Sequence, residues 1–527
     1  MLSIRAFTLL LLLSVWSTFG QQDFLRGRLL DAQTQEPIPF ATVRVKGYAL
    51  GVISNSDGGF QIPQRFKDLG GDLVISCMGY ETREIPLAAF LPDQIAIVRL
   101  GPGVLQLSEA VVRAEKKRRL SAIQIVRRAI KAIPENYPMR AFATIGYYRD
   151  YQLKKDKYVN LNEAILEVTD LGFGSYDHLS SKVRIYDYQS NKTFAQDFRG
   201  KFKYDYKSFN KFIDKAYLYG YGGNEFTILR IHDAIRNYKV NSFDFVNVLE
   251  RDLVDNHFFK KEEDIRQDDE VLYTITFRQS LQKYLAYGKM YISKKDYAIH
   301  KMEYVLYDRF RKSENGQINK HGDNLETIFE VAIEYKRDFG KMFPNYISFY
   351  NTFEVSQPPE FVVKEVFLDG PRGCFVVRFN DFVDIKTAER KANYDIRFEG
   401  EKIEVKRVKV FDIEVELYPE LGNGAFTVMV GKLAPAQNKR LDLMKMLSAE
   451  VTEVLNKRET AKVNEMKYQT YRQFREYFVQ EIRPNGIPNQ DTLFMKKYIP
   501  IFEDQPISKP DNFKDYWMNT PLQKVEN

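Results

Sequence analysis

Histidine, serine and cysteine side chains, which could perform hydrolysis or bind a metal, are scattered along this chain. The five histidines are widely spaced, and none follows another at i+4 as in the His-Glu-x-x-His pattern of zinc peptidases. A zinc hydrolase needs two or three converging ligands and an open coordination position. Residues 172–176 read G-F-G-S-Y and lack the second glycine of a nucleophile elbow. The sequence therefore predicts no catalytic residue, no metal ligand and no cofactor.

A segment rich in tyrosine and phenylalanine, residues 202–226, holds the candidates for ligand contact. Aromatic rings stack on sugars or bases and anchor protein interfaces. Antiparallel sheets also favour these residue types, so packing within a sheet is the alternative explanation. The candidate binding residues are Tyr204, Tyr206, Tyr217, Tyr219 and Tyr221.

Carboxylates could also do chemistry, and two linear clusters of them lie at residues 262–264 and 268–270. A glycosidase needs two carboxylates about 5–9.5 Å apart in a cleft, and such clusters fit a charged hairpin end better. Glu163 lies among apolar residues of a strand-like run, and a buried glutamate needs a partner. We expect a structural ion pair between Glu163 and Arg149, with a catalytic role as the alternative.

Residues 24–114 show the pattern of a β-sandwich, because short runs of β-branched and aromatic residues alternate with turn clusters. Asp57, Gly58 and Gly59 form a predicted tight turn. Glycine supplies the positive φ there, and aspartate hydrogen-bonds its own backbone.

Three motifs in this region follow one another in a recognisable order. They are G-R-L-L-D-A-Q-T-Q-E-P-I-P-F-A-T-V-R-V (27–45), S-N-S-D-G-G-F-Q-I (54–62) and L-V-I-S-C-M-G-Y-E (73–81). The combination resembles the carboxypeptidase-regulatory-like domain, a transthyretin-like β-sandwich common in exported Bacteroidota proteins. The resemblance implies an accessory part of metallocarboxypeptidases and not their catalytic part.

The rest of the chain changes character several times. Residues 324–355 alternate in the manner of antiparallel hairpins, and residues 438–482 show the 3–4 spacing of a helix. Residues 287–299 are similar to the curved half-barrel sheets of outer-membrane lipoprotein carriers. Residues 376–396 resemble bacterial Ig-like modules, either appended to the preceding sheet or inserted in it.

These patterns predict a mainly β, multi-domain protein. It combines an N-terminal seven-strand-type β-sandwich, a central antiparallel curved sheet or half-barrel, an Ig-like β-sandwich and a C-terminal long helix. The predicted divisions are a signal peptide (1–20), the first sandwich (21–114), a basic linker with an amphipathic helix (115–138), the central sheet domain (139–358), the Ig-like sandwich (359–433) and a helix with an irregular tail that packs on the central domain (434–527).

The N-terminus reads as a secretory signal peptide. Arg5 precedes an apolar run, and the small residues Thr18 and Gly20 fit a cleavage site before Gln21. The apolar run is too short to span a bilayer, and no later stretch approaches 18 apolar residues. No cysteine lies near the cleavage site, so we do not expect a lipoprotein. We expect an exported protein of the periplasm or outer membrane.

Composition excludes further classes of function. A net charge of +7 is small for 527 residues and gives nucleic-acid binding no support. The only two cysteines, Cys77 and Cys374, cannot build a disulfide framework, and we expect buried free thiols. The sequence favours a non-enzymatic envelope protein that binds or scaffolds, with an envelope protein or a glycan as partner. Glycan binding through residues 202–226 and a carboxypeptidase-like hydrolase are the alternatives.

Overall fold

The computed structural model describes residues 24–48, 50–103, 120–154, 157–202, 208, 210–213, 224–239, 253–267, 270–313, 318–319, 321–433, 446–486 and 493–522. The chain divides into two compact units. The larger unit combines Met1–Tyr206, Lys211–Phe353 and Thr470–Asn527. The smaller one, called the inserted unit below, combines Lys207–Asn210 and Glu354–Gln469.

The larger unit begins with a β-sandwich whose two sheets have the strand orders β4-β1-β7 and β3-β2-β5-β6. Its core consists of inward-facing aliphatic and aromatic residues, including Leu29, Val43 and Phe60. The described strands confirm the predicted seven-strand sandwich. They are β1 (Phe24–Asp31), β2 (Thr42–Val45), β3 (Gly51–Ile53), β4 (Gly59–Pro63), β5 (Asp72–Ser76), β6 (Arg83–Pro86) and β7 (Ile95–Leu100), with helix α1 at Arg65–Asp68 and a 3-10 turn at Leu87–Ala89.

A twelve-stranded sheet forms the rest of the larger unit, and its order is β10-β9-β8-β26-β18-β17-β16-β15-β14-β12, with β11 beside β18 and β13 beside β14. Strands β14 to β18 are successive antiparallel hairpins, as the alternation predicted. The strands are β8 (Phe142–Lys154), β9 (Lys157–Asp170), β10 (Lys182–Ser190), β11 (Lys211–Phe212), β12 (Phe258–Lys261), β13 (Ile265–Gln267), β14 (Glu270–Ser280), β15 (Tyr284–Ser293), β16 (Ile299–Asp308), β17 (Glu326–Asp338), β18 (Lys341–Gln357) and β26 (Lys467–Pro484).

The two faces of this sheet pack against different partners. One face carries Tyr346, whose ring stacks on Phe40 of the sandwich at 5.3 Å, and is called the sandwich face. The other carries Tyr148 and Tyr477, both in contact with Phe226 of a covering helix, and is called the helix face. The described helices of the larger unit are α2 (Ala122–Lys131), α3 (Ile133–Asn136), α4 (Asp177–Ser180), α5 (Glu225–Ile231) and α6 (Leu253–Asn256), with 3-10 turns at Arg199–Lys201 and Phe513–Asp515.

The inserted unit contains two further sheets around its own hydrophobic core. One sheet has the order β19-β20-β24-β23 and the other β22-β21-β25. Its elements are β19 (Val363–Asp369), β20 (Cys374–Phe379), β21 (Tyr394–Phe398), β22 (Glu401–Ile403), β23 (Val405–Val410), β24 (Glu414–Pro419), β25 (Leu447–Val451), α7 (Ile385–Ala388), α8 (Asn423–Leu433) and a 3-10 turn at Lys391–Asn393.

The predicted C-terminal long helix is wrong. Leu447–Val451 and Lys467–Pro484 are strands, and the part of the predicted helix at 438–445 lies outside the described residues. The aromatic residues Tyr471, Phe474 and Tyr477 recur every third position and imitate a helical face. The middle of β26, residues 475–480, is buried on both of its faces, which removes the simple alternation that identifies a strand exposed on one side.

Candidate functional site

The five candidate tyrosines, Tyr204, Tyr206, Tyr217, Tyr219 and Tyr221, lie outside the described residues. That they bind a ligand remains a prediction.

The turn at Asp57, Gly58 and Gly59 connects β3, in one sheet of the sandwich, to β4, in the other sheet. Gly58 has a φ of +74°, and a Cβ added there would lie 2.3 Å from the carbonyl oxygen of Leu29. The carboxylate of Asp57 accepts a hydrogen bond from the amide of Gly59 at 3.1 Å and lies 3.2 Å from the guanidinium of Arg28. The turn thus needs glycine for space and conformation together.

Arg149 and Glu163 are both buried, but the structure gives each of them other partners. The guanidinium of Arg149 pairs with the carboxylate of Glu476 in β26. Glu163 accepts hydrogen bonds from Tyr147 at 2.6 Å and Gln189 at 2.9 Å. Arg149 pairs with Glu476 and not with Glu163 because β26 lies beside β8 and places Glu476 directly opposite Arg149. The prediction of a helix at residues 467–484 could not place Glu476 beside Arg149.

Arg149 also links the sheet to the sandwich. Its Nη1 donates to the side chain of Asn55, next to the Asp57 turn. The rings of Tyr151 and Phe478 lie 5.4 and 5.3 Å from the guanidinium carbon. A fully buried cation held by one carboxylate, one amide and two rings is a structural connection, since these side chains exclude water from it.

The C-terminal tail reinforces the same connection. Trp517 is buried in the core of the sandwich, 5.8 Å from the ring of Phe66. Its indole N–H donates to the carbonyl of Gln61 at 2.9 Å. The side chain of Asn519 accepts from the amide of Gln61 at 2.8 Å and donates to the carbonyl of Ile53 at 2.9 Å. Sandwich, sheet and tail therefore share buried contacts.

The helix face carries a buried polar group of its own. Asp150 accepts hydrogen bonds from Tyr148 at 3.0 Å and Asn162 at 2.9 Å. Burial, followed by the nearby negative charge of Glu225, raises the pKa of Asp150 to about 7. Burial lowers the pKa of Lys211 to about 8. Groups with perturbed pKa values occur at functional sites and in structural networks alike. Helix α5 covers the helix face of the sheet, where Asp150 lies.

A cleft of about 520 Å³ lies on the opposite, sandwich face of the sheet, over strands β12, β14, β15 and β16. The strand register arranges its side chains in two parallel rows, each crossing four strands. One row, called the polar row, consists of Lys260, Thr276, Lys289 and Glu303. The other, called the aromatic row, consists of Phe258, Arg278, Tyr287 and Val305.

The strand beneath the cleft contains a glycine, Gly288. Gly288 lies between Tyr287 and Lys289 and faces the helix side of the sheet, where the ring of Phe277 covers it. A Cβ added at Gly288 would lie 2.1 Å from that ring. The aromatic packing under the cleft floor therefore requires glycine at this position.

The cleft has more positive than negative charge. Lys260 pairs with Glu262 at 2.9 Å, and Glu303 pairs with Lys301 at 2.9 Å. The side chains of Arg278 and Lys289 make no ion pair or hydrogen bond with the described residues; the ammonium of Lys289 lies 5.9 Å from the ring centre of Tyr291. Two cations are thus available to a ligand on the cleft floor.

Aromatic surface flanks these cations. The ring of His321 stacks on Tyr287 at 4.0 Å with an interplanar angle of 12°. Phe258 is 71% exposed at the open edge of the sheet. Sequence analysis missed this site, although alternation along β14 and β15 places Arg278, Tyr287 and Lys289 on one face.

The described residues contain no group of three His, Cys, Asp or Glu side chains that could hold a metal ion. Both cysteines are free thiols, and burial raises the pKa of each to about 11. Within the part of the chain that the structure describes, no helix is long and apolar enough to cross a membrane.

Comparison with known proteins identifies the sandwich. Residues 25–112 match the CarboxypepD_reg-like domain, which confirms the resemblance carried by the three motifs. The TonB-dependent receptor SusC of Bacteroides thetaiotaomicron is 39% identical over 71 residues, which are 14% of this chain and 7% of the receptor. The chain thus spans only a small part of that relative's length.

Two solved structures show distant likenesses. An outer membrane lipoprotein-sorting protein domain from Vibrio parahaemolyticus has 9% identity and a TM-score of 0.19, covering 44% of this chain and 85% of its own. MucB in complex with MucA(peri) has 8% identity and a TM-score of 0.15, covering 63% and 99%. Likenesses this distant carry no argument about the site.

Proposed function

We propose that this protein is a non-enzymatic binding protein of the cell envelope and that the cleft over β12, β14, β15 and β16 holds its ligand. The observation that carries the proposal is the pair of cations, Arg278 and Lys289, beside the aromatic surface of Tyr287 in a cleft of about 520 Å³. Clefts of this size with a few placed polar groups are typical of small-molecule sites.

The envelope setting is supported by sequence relationships. Residues 25–112 match the CarboxypepD_reg-like domain, and a curated relative that is 39% identical over 71 residues is by name a TonB-dependent receptor. The signal-peptide pattern at residues 1–20 supports export to the periplasm or outer membrane. N-terminal sequencing of the mature protein should begin at Gln21, and an unprocessed cytoplasmic protein would contradict export.

A binding role without catalysis fits the side chains of the cleft. Acid–base catalysis uses two titratable groups whose pKa values are pushed apart. The carboxylate of Glu303, in the polar row, is neutralised by Lys301. The hydroxyl of Thr276 donates to Glu262 at 2.9 Å. Because both groups are engaged with neighbouring side chains, neither is placed to exchange a proton with a substrate.

Site-specific photocrosslinking tests the proposal without knowledge of the ligand. A benzophenone amino acid replaces Phe258 at the edge of the cleft, and the cells are irradiated before the protein is purified. We expect a discrete adduct whose mass is unchanged by prolonged incubation with the protein. The matched control replaces Phe339, an aromatic residue with 64% exposure that does not line the cleft. Equal adducts at both positions, or none at Phe258, would contradict binding in the cleft.

The tyrosine-rich segment 202–226 supports a second binding mode, recognition of a glycan by stacking. Replacing Tyr204, Tyr206 and Tyr219 by alanine would weaken glycan binding without loss of folding if these rings contact the sugar. Unchanged binding by a folded triple variant would end this alternative. A carboxypeptidase-like hydrolase would cleave peptides from a panel, and we expect no cleavage.

A further inference from the structure

We propose that the cleft binds an acidic saccharide, with a sugar carboxylate on Arg278 and Lys289 and the face of a sugar ring on the aromatic row. This inference rests on the proposed function of the cleft and specifies its ligand.

The register fixes the distance between the two cations. Arg278 lies directly opposite Tyr287, and Lys289 directly opposite Thr276, so that the two cations are diagonal neighbours on adjacent strands. Diagonal neighbours on one face of a sheet are about 7–8 Å apart at their backbones. Long side chains span this separation, and both cations can reach the oxygens of one carboxylate.

The charge pattern favours an anion over a neutral ligand. The lining of the cleft includes three cations, Lys260, Arg278 and Lys289, and the carboxylate of Glu303. Glu262 offsets the charge of Lys260, so Arg278 and Lys289 are the cations of the lining that make no ion pair with the described residues. Lys260 and Glu303 have ion-pair partners outside the two rows. Arginine and lysine form charge-assisted hydrogen bonds with carboxylates, about twice as strong as neutral hydrogen bonds.

The aromatic row favours a sugar ring over an acyl chain. Arg278 interrupts the row between Phe258 and Tyr287, so an extended hydrocarbon chain would have to pass over a charged group. The orientation of the Tyr287 ring is instead fixed by the stacked ring of His321, at 4.0 Å. A sugar alternates apolar C–H faces with polar edges, which matches an aromatic row beside a polar row.

The test uses calorimetric titration of the full-length mature protein with digalacturonate. We expect binding that weakens as sodium chloride is raised, because salt shortens the range of charge interactions from about 10 Å at 0.1 M to about 3 Å at 1 M. Neutral galactobiose should bind at least about tenfold more weakly, since it lacks the charged groups that pair with the cations. Digalacturonate should also suppress the adduct formed at position 258.

Variants assign the binding to the cleft. Arg278→Gln and Lys289→Gln should each raise the Kd for digalacturonate about tenfold or more, and either variant suffices if the other fails to fold. Tyr287→Leu should weaken the binding of both digalacturonate and galactobiose. The matched control is Lys192→Gln, which removes an exposed lysine elsewhere in the larger unit and should leave the Kd unchanged.

The outcomes separate this inference from the proposed function. Equal binding of galactobiose, insensitivity to both cation variants, or tighter binding of dodecanoate than of digalacturonate would overturn the saccharide assignment. If digalacturonate does not bind while a discrete adduct still forms at position 258, the cleft is a binding site for another ligand. If the adduct is absent as well, the proposed function fails too.

Discussion

At the scale of single residues, the larger unit depends on charged groups removed from water. Arg149 and Glu476 are fully buried, and each compensates the other's desolvation. Arg475, the neighbour of Glu476, points to the helix face, where it donates to Asn351 at 2.6 Å. Adjacent residues of β26 thus place opposite charges on opposite faces of the sheet. Glu476 pairs with Arg149 of β8, and Arg475 pairs with Glu225 of the covering helix α5.

The first prediction concerns Arg149. Arg149→Met leaves Glu476 as an uncompensated buried charge, and we expect a loss of about 3–5 kcal/mol in the free energy of unfolding, measured by urea denaturation. The double variant with Glu476→Met should recover much of this loss. The control, Lys46→Met, removes one partner of an exposed ion pair with Glu84 and should change stability far less. Equal effects at Arg149 and Lys46 would show that the buried pair is not stabilising.

The second prediction follows from the raised pKa of Asp150. Its pKa is about 7 in the folded protein and near 3.8 in the unfolded chain, so the folded state binds the extra proton between these values. The contribution of Asp150 to stability is complete below pH 4 and is lost as the pH rises through 7. As the pH rises from 4 to 8, the free energy of unfolding of Asp150→Asn should therefore increase relative to that of the parent by a few kcal/mol, on the order of 1.4 kcal/mol per pKa unit.

Thermal or urea unfolding at several pH values measures this difference. An exposed aspartate, Asp511, provides the control, since Asp511→Asn should give a profile parallel to that of the parent. If Asp150→Asn also runs parallel to the parent, Asp150 is ionised in the folded protein at neutral pH.

At the scale of elements, β26 decides the architecture. It lies between β8 and β18. It thereby joins strands β8–β10 on one side of the sheet to the hairpins β14–β18 on the other. Its aromatic residues fall at a spacing of three, and its faces are both covered. Tertiary packing therefore overrides a local pattern that favours a helix.

Hydrogen exchange tests the position of β26. Amides of residues 472–483 pair with β8 and should be among the slowest to exchange in the larger unit. Amides of β12, the edge strand Phe258–Lys261, should exchange faster because that strand pairs with β14 on one side. Faster exchange in β26 than in β12 would contradict its central place in the sheet.

At the scale of the whole molecule, the chain leaves the large sheet and returns to it at adjacent positions. The rings of Phe353 in β18 and Tyr471 in β26 stack at 5.1 Å and 6°. The larger segment of the inserted unit, Glu354–Gln469, lies in the sequence between these two residues. Insertions are tolerated where the ends of a segment lie close together, because the surrounding domain keeps its own core.

The fourth prediction is that the larger unit folds without the insertion. Replacing residues 358–466 by an Asn-Gly turn should join β18 and β26 as a hairpin. Trp517 reports the result, since the other tryptophan, Trp16, lies in the expected signal peptide. We expect blue-shifted emission that shifts to the red in one transition together with the loss of circular dichroism. Red-shifted emission before denaturation would show that the sandwich and tail require the inserted unit.

The sequence by itself determined the N-terminal sandwich, the antiparallel hairpins and the tight turn at Asp57. Each of these depends on short-range signals, such as alternation and glycine positions, that are written in neighbouring residues. The tertiary structure alone decided that Arg149 pairs with Glu476, that residues 467–484 form a strand, and that two rows of side chains define a cleft. Those features join residues from distant parts of the chain, and their partners are selected by sheet order, which local patterns do not encode.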